Sequence, residues 1–274
     1  MKTAVMGMDG KKGKEVNLPP QFSEVFRPDL IKKAVLAQQS HNIQAYGTKI
    51  GAGLRQSAFI TKRRKHYKTT YGRGQSRTPR KVLSRRGMNF YYMGAVAPNT
   101  VGGRVSHPPK AAKIWDLKIN VKERRKAIRS AIAATMDSSL VKKRGHTTES
   151  FVVENKIEDL KKAKEVYDFL AKVGLKKELE RIAVKKIRAG KGKNRGRPYR
   201  KKKGPLLVVS KECALLQAAG NLQGIDVCLV KNLSAELLAP GTNAGRLTLW
   251  SDKAIELMDK ERLFYTQVKK ETKK

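Results

Sequence analysis

Apolar residues recur at regular intervals near the N-terminus and through the second half of the chain, but not between these regions. Residues 2–8 and 14–18 flank the dipeptide Asp9-Gly10, which is typical of a tight hairpin turn, and so predict a β-hairpin. Pro28 then occupies a first helical position, and apolar residues follow it at helical spacing. We expect a helix over about 28–46.

Short apolar runs alternate with amphipathic stretches in the second half of the chain. The runs predict strands at 151–153, 206–209, 225–230 and 247–250. The stretches predict helices at 122–137, 160–174, 211–219, 233–238 and from Ser251 to about 261. Strands that alternate with helices indicate an α/β fold. The continuous apolar run 206–209 is typical of a mostly parallel sheet covered on both faces, so we expect a three-layer-like globular domain.

The segment 47–110 has no such periodicity. It holds nine glycines and four prolines, and a composition of this kind does not form a packed core of its own. An insertion of this length is either functional or disordered when alone. The sequence therefore predicts a long irregular basic extension, inserted after the first helix.

These patterns divide the chain into four parts. Residues 1–46 form the N-terminal hairpin and helix of the globular domain, and 47–110 form an extended loop. The α/β core follows over 111–265, and 266–274 form a basic C-terminal tail.

Charge changes the picture more than any motif does. The 274 residues include 61 Lys and Arg against 23 Asp and Glu, which gives a formal charge of +38. Residues 30–115 contain eighteen Lys and Arg and no carboxylate, and 181–211 form a second run without acid. Solvated faces usually mix the two signs. This balance argues against an ordinary metabolic enzyme and makes nucleic acid the expected partner.

Basic side chains, with the glycines and aromatics beside them, are the candidate contacts. Those in the extended loop are Arg55, Lys62, Arg63, Arg64, Lys65, Tyr71, Gly72, Arg73, Gly74, Arg77, Arg80, Lys81, Arg85, Arg86, Gly102, Gly103, Arg104 and His107. A basic stripe on the predicted helix 122–137 adds Lys122, Arg125, Lys126 and Arg129, and the second run without acid adds Lys191, Lys193, Arg195, Arg197 and Arg200. Arginine pairs with phosphate, glycine admits a close backbone approach, and aromatics interleaved with Arg can stack on bases.

Enzymatic and metal chemistry find little support in the sequence. No Walker A loop occurs, and Gly51-Ala52-Gly53 begins a dinucleotide fingerprint whose third glycine is replaced by Gln56. Asp226 lies in a predicted strand and is either catalytic or a sheet-edge or capping residue. The four histidines lack metal-ligand spacing, so we expect no metal and no cofactor.

Cysteine usage and hydropathy address the compartment. Cys213 and Cys228 do not form a CxxC pair, which favours a reducing compartment without disulfides. No run of eighteen apolar residues occurs, and the N-terminus lacks the apolar region of a signal peptide, so we expect no membrane association.

Two motifs in the extended loop carry a family resemblance. Residues 72–80 read Gly-Arg-Gly-Gln-Ser-Arg-Thr-Pro-Arg, and 102–109 read Gly-Gly-Arg-Val-Ser-His-Pro-Pro. Together they resemble the central loop of large-subunit ribosomal protein four, the universal L-four family. The resemblance extends over nearly the whole chain. It is closest to the archaeal and eukaryotic branch, and without the long eukaryotic C-terminal tail it favours the archaeal form.

The resemblance implies a structural, non-enzymatic constituent of the cytoplasmic large ribosomal subunit, without a small-molecule substrate. Its partners would be large-subunit rRNA and other large-subunit proteins near the peptide exit tunnel. The family's globular domain lies on the subunit surface, and its extension threads between rRNA helices to the tunnel wall. There the extension meets that of large-subunit ribosomal protein twenty-two.

The tip of the extension is the candidate tunnel segment. Met88, Phe90, Tyr91 and Tyr92 fall in a stretch, 88–99, that loses charge after Arg86. This loss suggests that the tip leaves the phosphate-rich surroundings, because a tunnel wall should not hold a passing peptide by strong charge. Alternatively, these aromatics pack on rRNA bases, or form a small core under the loop.

Two other classes of protein stay open on the sequence alone. An RNA-processing enzyme would place a basic capturing loop beside a pocket at the carboxyl ends of its parallel strands. A DNA-compacting protein would bind duplex DNA without a preference for RNA.

Overall fold

The computed structural model describes residues 2–66, 69–87 and 89–265, which fall into two compact units. The globular unit comprises Met1–Asn42 and Asp116–Lys274, and the second unit, called the arm below, comprises Ile43–Trp115. The tip candidate Met88 and the predicted tail 266–274 lie outside the described residues.

Within these described residues, ten strands and eight α-helices form in chain order. The strands are β1 (Lys2–Met6), β2 (Lys12–Asn17), β3 (Arg80–Arg86), β4 (Asn89–Gly94), β5 (Phe151–Val153), β6 (Lys186–Ile187), β7 (Tyr199–Arg200), β8 (Leu206–Val209), β9 (Asp226–Leu229) and β10 (Thr248–Ser251). The helices are α1 (Pro28–His41), α2 (Val121–Met136), α3 (Ser138–Lys143), α4 (Ala163–Leu170), α5 (Lys176–Ala183), α6 (Ala214–Gly220), α7 (Ala235–Leu238) and α8 (Asp252–Lys260).

Six of these strands form the sheet of the globular unit, in the order β2-β1-β5-β10-β8-β9. Only the β1–β2 hairpin pairs antiparallel, and the four other pairings are parallel. The chain runs from β8 through α6 to the edge strand β9, and then through α7 to β10 on the other side of β8. The predicted α/β fold with a mostly parallel sheet is confirmed.

Helices cover both faces of this sheet. Leu206 and Val208 of β8 belong to one buried cluster with residues of α1, α2, α7 and α8, while Leu207 and Val209 belong to another with residues of α4, α5 and α6. Alternate residues of one strand therefore serve two cores, as the side-chain period of two requires. Trp250 is the largest fully buried side chain, and its ring meets Phe22 edge-on at 5.0 Å.

Local signals for the main helices hold in the structure. The Ser251 hydroxyl accepts a hydrogen bond from Ala254 N, so it caps α8 as expected. The apolar side predicted for α2 is buried at Ile128, Ala131 and Ile132. Helix α1 stops at His41, earlier than predicted.

Four elements of the globular unit were not predicted. Helix α3 follows α2 directly, and its first turn is capped by Asp137, whose carboxylate accepts from Ser139 N. Helix α5 resumes after Gly174, where the sequence indicated only a helix end. Strands β6 and β7 form a two-residue ladder within the second run without acid.

The carboxyl ends of β8 and β10 meet at the point where the order of the strands reverses, which is the usual ligand crevice of an α/β sheet. In this chain the buried carboxylate of Glu158 occupies that position. It accepts hydrogen bonds from Ser210 N and Oγ at 2.8 Å and from Ser251 Oγ at 2.7 Å. An internal side chain thus fills the place where an enzyme of this class holds its substrate.

The arm begins and ends as two adjacent segments. Thr48 N donates to Pro109 O at 3.0 Å, and the rings of Tyr46 and Trp115 lie 4.6 Å apart. Farther along, Gly53 meets Arg104 so closely that an added Cβ would stand 2.5 Å from the Cα of Arg104. We call these two adjacent segments, 46–53 and 104–115, the stem of the arm. Beyond the stem, β3 and β4 form an antiparallel hairpin, where the sequence predicted no regular structure.

Candidate nucleic-acid interface

The arm has almost no interior. Of its described residues, only Thr69 and Ala95 are buried. Large apolar side chains stand in solvent, among them Ile50 and Val101, which are 94% and 95% exposed. Apolar burial is the main source of folding free energy, so this unit gains little of it internally.

Most of the predicted basic contacts of the arm point to solvent. The exposed ones are Arg55, Lys62, Arg63, Arg64, Lys65, Arg73, Arg77, Arg85 and Arg86, together with His107. Arg80, Lys81 and Arg104 are half-buried. Because the arm has no acidic residue, none of its cations finds a carboxylate within the arm.

Arg80 departs from its expected role as a phosphate contact. Its guanidinium donates to Ser76 Oγ at 2.9 Å, and its backbone N donates to Phe59 O. Together with Phe59 and Tyr92 it lines a small pocket. The side chain therefore ties the 72–80 motif to the hairpin, and its contact with phosphate stays a prediction with less support.

The glycines of the 72–80 motif lie in turns that only glycine adopts easily. Gly72 and Gly74 have φ values of +77° and +66°, and an added Cβ at either position would meet no atom within 4 Å. Backbone conformation rather than crowding within the chain therefore selects glycine at both positions. Open space beside both backbones leaves room for a phosphate.

Tyr71 and Arg77 form a pair across this turn. The Arg77 guanidinium lies 4.9 Å from the centre of the Tyr71 ring. Such pairing orients the guanidinium and leaves its edges able to donate to phosphate. In the second motif, Gly102 has a positive φ of 71° with open space around it, whereas Gly103 packs against Ala97 O.

The hairpin divides the tip aromatics between its two faces. Phe90 and Tyr92 are half-buried on one face and stack at 5.6 Å, with the Arg85 guanidinium 5.6 Å from the Phe90 ring. Tyr91 points to the other face and is 74% exposed. A bulge between Val82 and Ser84 sets this register.

The same register corrects the expectation of a charge-poor tip. Arg86 pairs with Asn89 and Arg85 with Phe90, so the uncharged strand lies directly beside the basic one. Strand β4 has no charged residue, but the basic side chains of β3 lie next to it across the hairpin. The charge pattern therefore gives the tunnel tip less support, and the tunnel placement stays a prediction that rests on the family resemblance.

The basic stripe of α2 is divided between solvent and the fold. Lys122 is exposed and Lys126 is half-buried. Arg125 donates to Tyr265 O at 3.1 Å. Arg129 donates to Glu24 at 2.7 Å and to Phe264 O, so it joins elements within the globular unit. For Arg129 a nucleic-acid contact loses support, because both the charge and the donors already have partners.

The second basic run is exposed along nearly its whole length. Lys191, Lys193, Arg195, Arg197 and Arg200 all face solvent on the β6–β7 hairpin and its connecting loop. Also exposed are cations that were not among the sequence-predicted contacts: Lys185, Lys186, Arg188, Lys201, Lys202 and Lys203. They belong to the same run without acid, and that run was the sequence signal that could have identified them as contacts.

Other kinds of site receive no support within the described parts of the chain. There, no group of three or more His, Cys, Asp or Glu residues could hold a metal ion, and no helix is long and apolar enough to span a membrane. Cys213 and Cys228 are free thiols, and burial raises the pKa of Cys228 to about 11. Asp226 is a sheet-edge residue whose carboxylate accepts from the buried Arg246 at 2.6 Å and from Lys203.

Comparison with known proteins identifies the family. The chain matches the ribosomal protein L4/L1 family over residues 16–261. It is 47% identical to the large ribosomal subunit protein uL4 of Nanoarchaeum equitans over 97% of this chain and 100% of that protein. It is 48% identical to the uL4 protein of Methanococcoides burtonii over 93% of this chain and 96% of that protein. The extended loop lies inside the matched region, and the chain therefore belongs to the ribosomal protein L4/L1 family.

Proposed function

We propose that this chain is a structural, non-enzymatic constituent of the cytoplasmic large ribosomal subunit and binds its rRNA through the arm and the β6–β7 hairpin. Relatives that are 46–48% identical over more than 90% of the chain are named large ribosomal subunit proteins, which supports membership of that particle. The proposal that the chain binds rRNA rests on the charge and the exposure of its own residues.

One observation carries the proposal. A unit of 73 residues contains no carboxylate, exposes most of its cations and buries only Thr69 and Ala95 among its described residues. Its own contacts cannot offset the loss of chain entropy on ordering. A polyanion supplies both the missing charge and the missing contacts, because phosphates release counterions when they meet Lys and Arg.

The geometry favours binding by shape and backbone over the reading of a duplex sequence. Open glycine turns at Gly72 and Gly74 let the backbone approach phosphates, and Arg73 and Arg77 beside them supply forked donors. Exposed Tyr91 offers a ring to an unstacked base. These are the features by which proteins recognise folded RNA.

Within the subunit, we assign the β3–β4 hairpin to the peptide exit tunnel, beside other large-subunit proteins, as the family resemblance implies. Replacement of exposed Tyr91 by alanine should then alter nascent-chain stalling or the binding of tunnel-directed inhibitors, without impairing assembly. Val101→Ala is the control, since Val101 is also exposed but lies outside the hairpin. Identical tunnel behaviour of wild type and Y91A would count against this placement.

Sedimentation tests the main proposal. A tagged full-length chain should migrate with the large subunit and stay bound through a salt wash that removes loosely held basic proteins. One variant changes six arm arginines to glutamine: Arg63, Arg64, Arg73, Arg77, Arg85 and Arg86. A charge-matched variant changes six exposed lysines of the acid-containing segment 161–177: Lys161, Lys162, Lys164, Lys172, Lys176 and Lys177.

The arm variant should be washed off at lower salt and the lysine variant should not. Equal loss from both variants would mean that net charge alone holds the chain. Retention of both would remove the arm from the interface. Displacement by duplex DNA as readily as by rRNA would favour a DNA-compacting protein instead.

A further inference from the structure

A second strongly basic site lies within the globular unit, apart from the arm sequence. It is a cleft of about 950 Å³, bounded by the end of α3, by α5, by the β6–β7 hairpin and by the turn 240–244. Its cationic lining consists of Lys143, Arg144, Arg181, Lys186, Arg200 and the run 201–203. No Asp or Glu stands among the described residues that line it.

Arg144 shows that this cleft holds uncompensated positive charge. Its guanidinium donates to the carbonyl oxygens of Pro240 and Asn243, and no ion pair within the described part of the chain includes it. Burial, together with the charges of Arg246 and Arg181, lowers the pKa of Arg144 to about 10. Cations are usually not crowded in this way unless an anion joins them.

His146 supplies an independent sign of a missing partner. The side chain is only 1% exposed and lines the cleft, and its Nδ1 lies 2.7 Å from Oε1 of Glu178. Arg181 donates to the same carboxylate. It therefore fixes the position of Glu178 and, through Glu178, the orientation of the His146 ring. Nε2 of this ring is buried and has no hydrogen-bond partner among the described residues. A buried polar atom in this state calls for a bound group or water.

We propose that this cleft binds the sugar–phosphate backbone of an RNA strand, with Lys143, Arg200 and Lys202 as phosphate contacts and His146 at its floor. The inference rests on the proposed function as an RNA-binding protein and deepens it, because it defines a binding cleft beside the β6–β7 hairpin. The cleft volume falls within the range of pockets that enclose a small ligand, which corresponds to a few nucleotides.

Features of the β6–β7 hairpin beside the cleft favour RNA over an acidic protein segment. Tyr199 does not itself line the cleft, but it precedes the lining residue Arg200 on β7, is half exposed, and has the Lys185 ammonium 6.0 Å from its ring centre. An exposed ring beside phosphate-binding cations is the arrangement that stacks a base. The β6–β7 ladder has only two residue pairs, which is too short for independent stability. A ligand in the cleft would hold this hairpin against the unit.

The test follows the His146 ring by NMR in the full-length chain with ¹⁵N-labelled histidine. The probes are a tetra-uridylate, inorganic phosphate and a poly-glutamate peptide, each titrated separately. We expect a saturable shift of the His146 ring signals with tetra-uridylate, at concentrations where inorganic phosphate gives a much smaller shift. The other histidines identify binding elsewhere, because His66 and His107 lie in the arm.

Two pairs of exposed substitutions separate this site from the arm. Arg200→Gln with Lys202→Gln should weaken the His146 response at least about tenfold, since each removes a charge-assisted hydrogen bond. Arg73→Gln with Arg77→Gln should leave that response unchanged while reducing the total RNA bound. The His146 response can therefore fail even if the arm binds RNA, and the reverse also holds.

Three results would overturn the proposal. One is a His146 signal that none of the probes shifts. Another is saturation by inorganic phosphate at the same concentration as tetra-uridylate, which would make this a site for free phosphate. The third is a response to poly-glutamate as tight as that to tetra-uridylate, which would assign the cleft to an acidic protein segment.

Discussion

The globular unit and the arm belong to one strongly basic chain, but they differ in what can order them. The globular unit buries apolar residues on both faces of its sheet and pairs key cations with its own carboxylates, as in Arg246–Asp226 and Arg129–Glu24. The arm has two buried residues in its described part and no acid. In this chain, therefore, the unit that contains carboxylates is the unit that its own contacts can order.

Hydrogen exchange should give the largest contrast between the units. In the free protein, amides of β8 and β10 should exchange only through global unfolding, and those of 60–105 should exchange at least about ten-thousand-fold faster. Exchange mass spectrometry with and without rRNA measures this, and addition of RNA should slow exchange in the arm. Slow exchange across 60–105 in the free protein would show that the arm orders itself.

Truncation of the core should have the next largest effect. Trp250→Ala should lower the free energy of unfolding by about 3–5 kcal/mol, because a fully buried indole leaves a large cavity. Val101→Ala in the arm removes an apolar side chain that is 95% exposed and should change the stability by less than about 0.5 kcal/mol. Urea denaturation followed by far-UV circular dichroism checks both. A comparable loss from V101A would mean that the arm contributes to the folding free energy.

Acid should weaken the globular unit through Glu178. Burial raises the pKa of this carboxyl, but hydrogen bonds from Arg181 and His146 outweigh burial and lower it from 4.5 to about 2. The unfolded state then binds more protons between these values, so stability falls as the pH drops from 4.5 to 2, by on the order of 3 kcal/mol in total. Unfolding free energies at pH 5 and pH 3 measure the loss.

Two variants isolate that carboxyl. Glu178→Gln should flatten the pH dependence relative to wild type. Asp29 has a pKa that its hydrogen bond with Arg27 lowers to about 2, but both side chains are exposed, so Asp29→Asn should flatten it much less, above all at high salt. Equal effects of the two variants would show that general charge repulsion, and not the buried cluster, causes acid unfolding.

Arm arginines should give the smallest and most specific effect. Arg73→Gln with Arg77→Gln should reduce the slope of log affinity against log salt by about 1.4–1.8, since each lost phosphate contact removes about 0.7–0.9. Arg80→Gln is the control: its guanidinium already donates to Ser76, so we expect little change in slope. A slope that changes with R80Q but not with the double variant would reverse the roles of these arginines.

The sequence predicted the elements of the globular unit well wherever the apolar residues followed one clear helical or strand pattern. The apolar run at β8, the apolar side of α2 and the cap at Ser251 all indicated the elements that form. It failed at α5, because Gly174 at φ 90° looked like the end of a helix, and the chain resumes helical geometry two residues later. Glu178 lies on that helix, so the cluster with His146 and Arg181 went unrecognised.

The predicted interface stays a prediction, but the structure shows which of its cations are exposed and which have partners within the chain. Runs without acid located the exposed cations, since charge distribution is visible in a sequence. The β3–β4 hairpin was missed because Arg80–Arg86 is mostly basic and its connecting turn has no strong turn dipeptide. The pairing of a basic strand with an uncharged one depends on contacts that the sequence does not show, and it weakens the charge-based reason for a tunnel tip. The internal roles of Arg80 and Arg129 likewise depend on partners that sequence spacing does not reveal.

The stem of the arm makes the two units separable by protein engineering. Where Thr48 donates to Pro109, the outgoing and returning segments are already side by side, and Gly47 lies against Ala111. Everything between them is a closed loop, and lengthening such a loop costs only about 0.6 kcal/mol for each doubling. We therefore expect that the distal arm can be excised, or exchanged for a foreign RNA-binding segment, at this junction. We expect such a chimaera to keep the α/β fold of the globular unit.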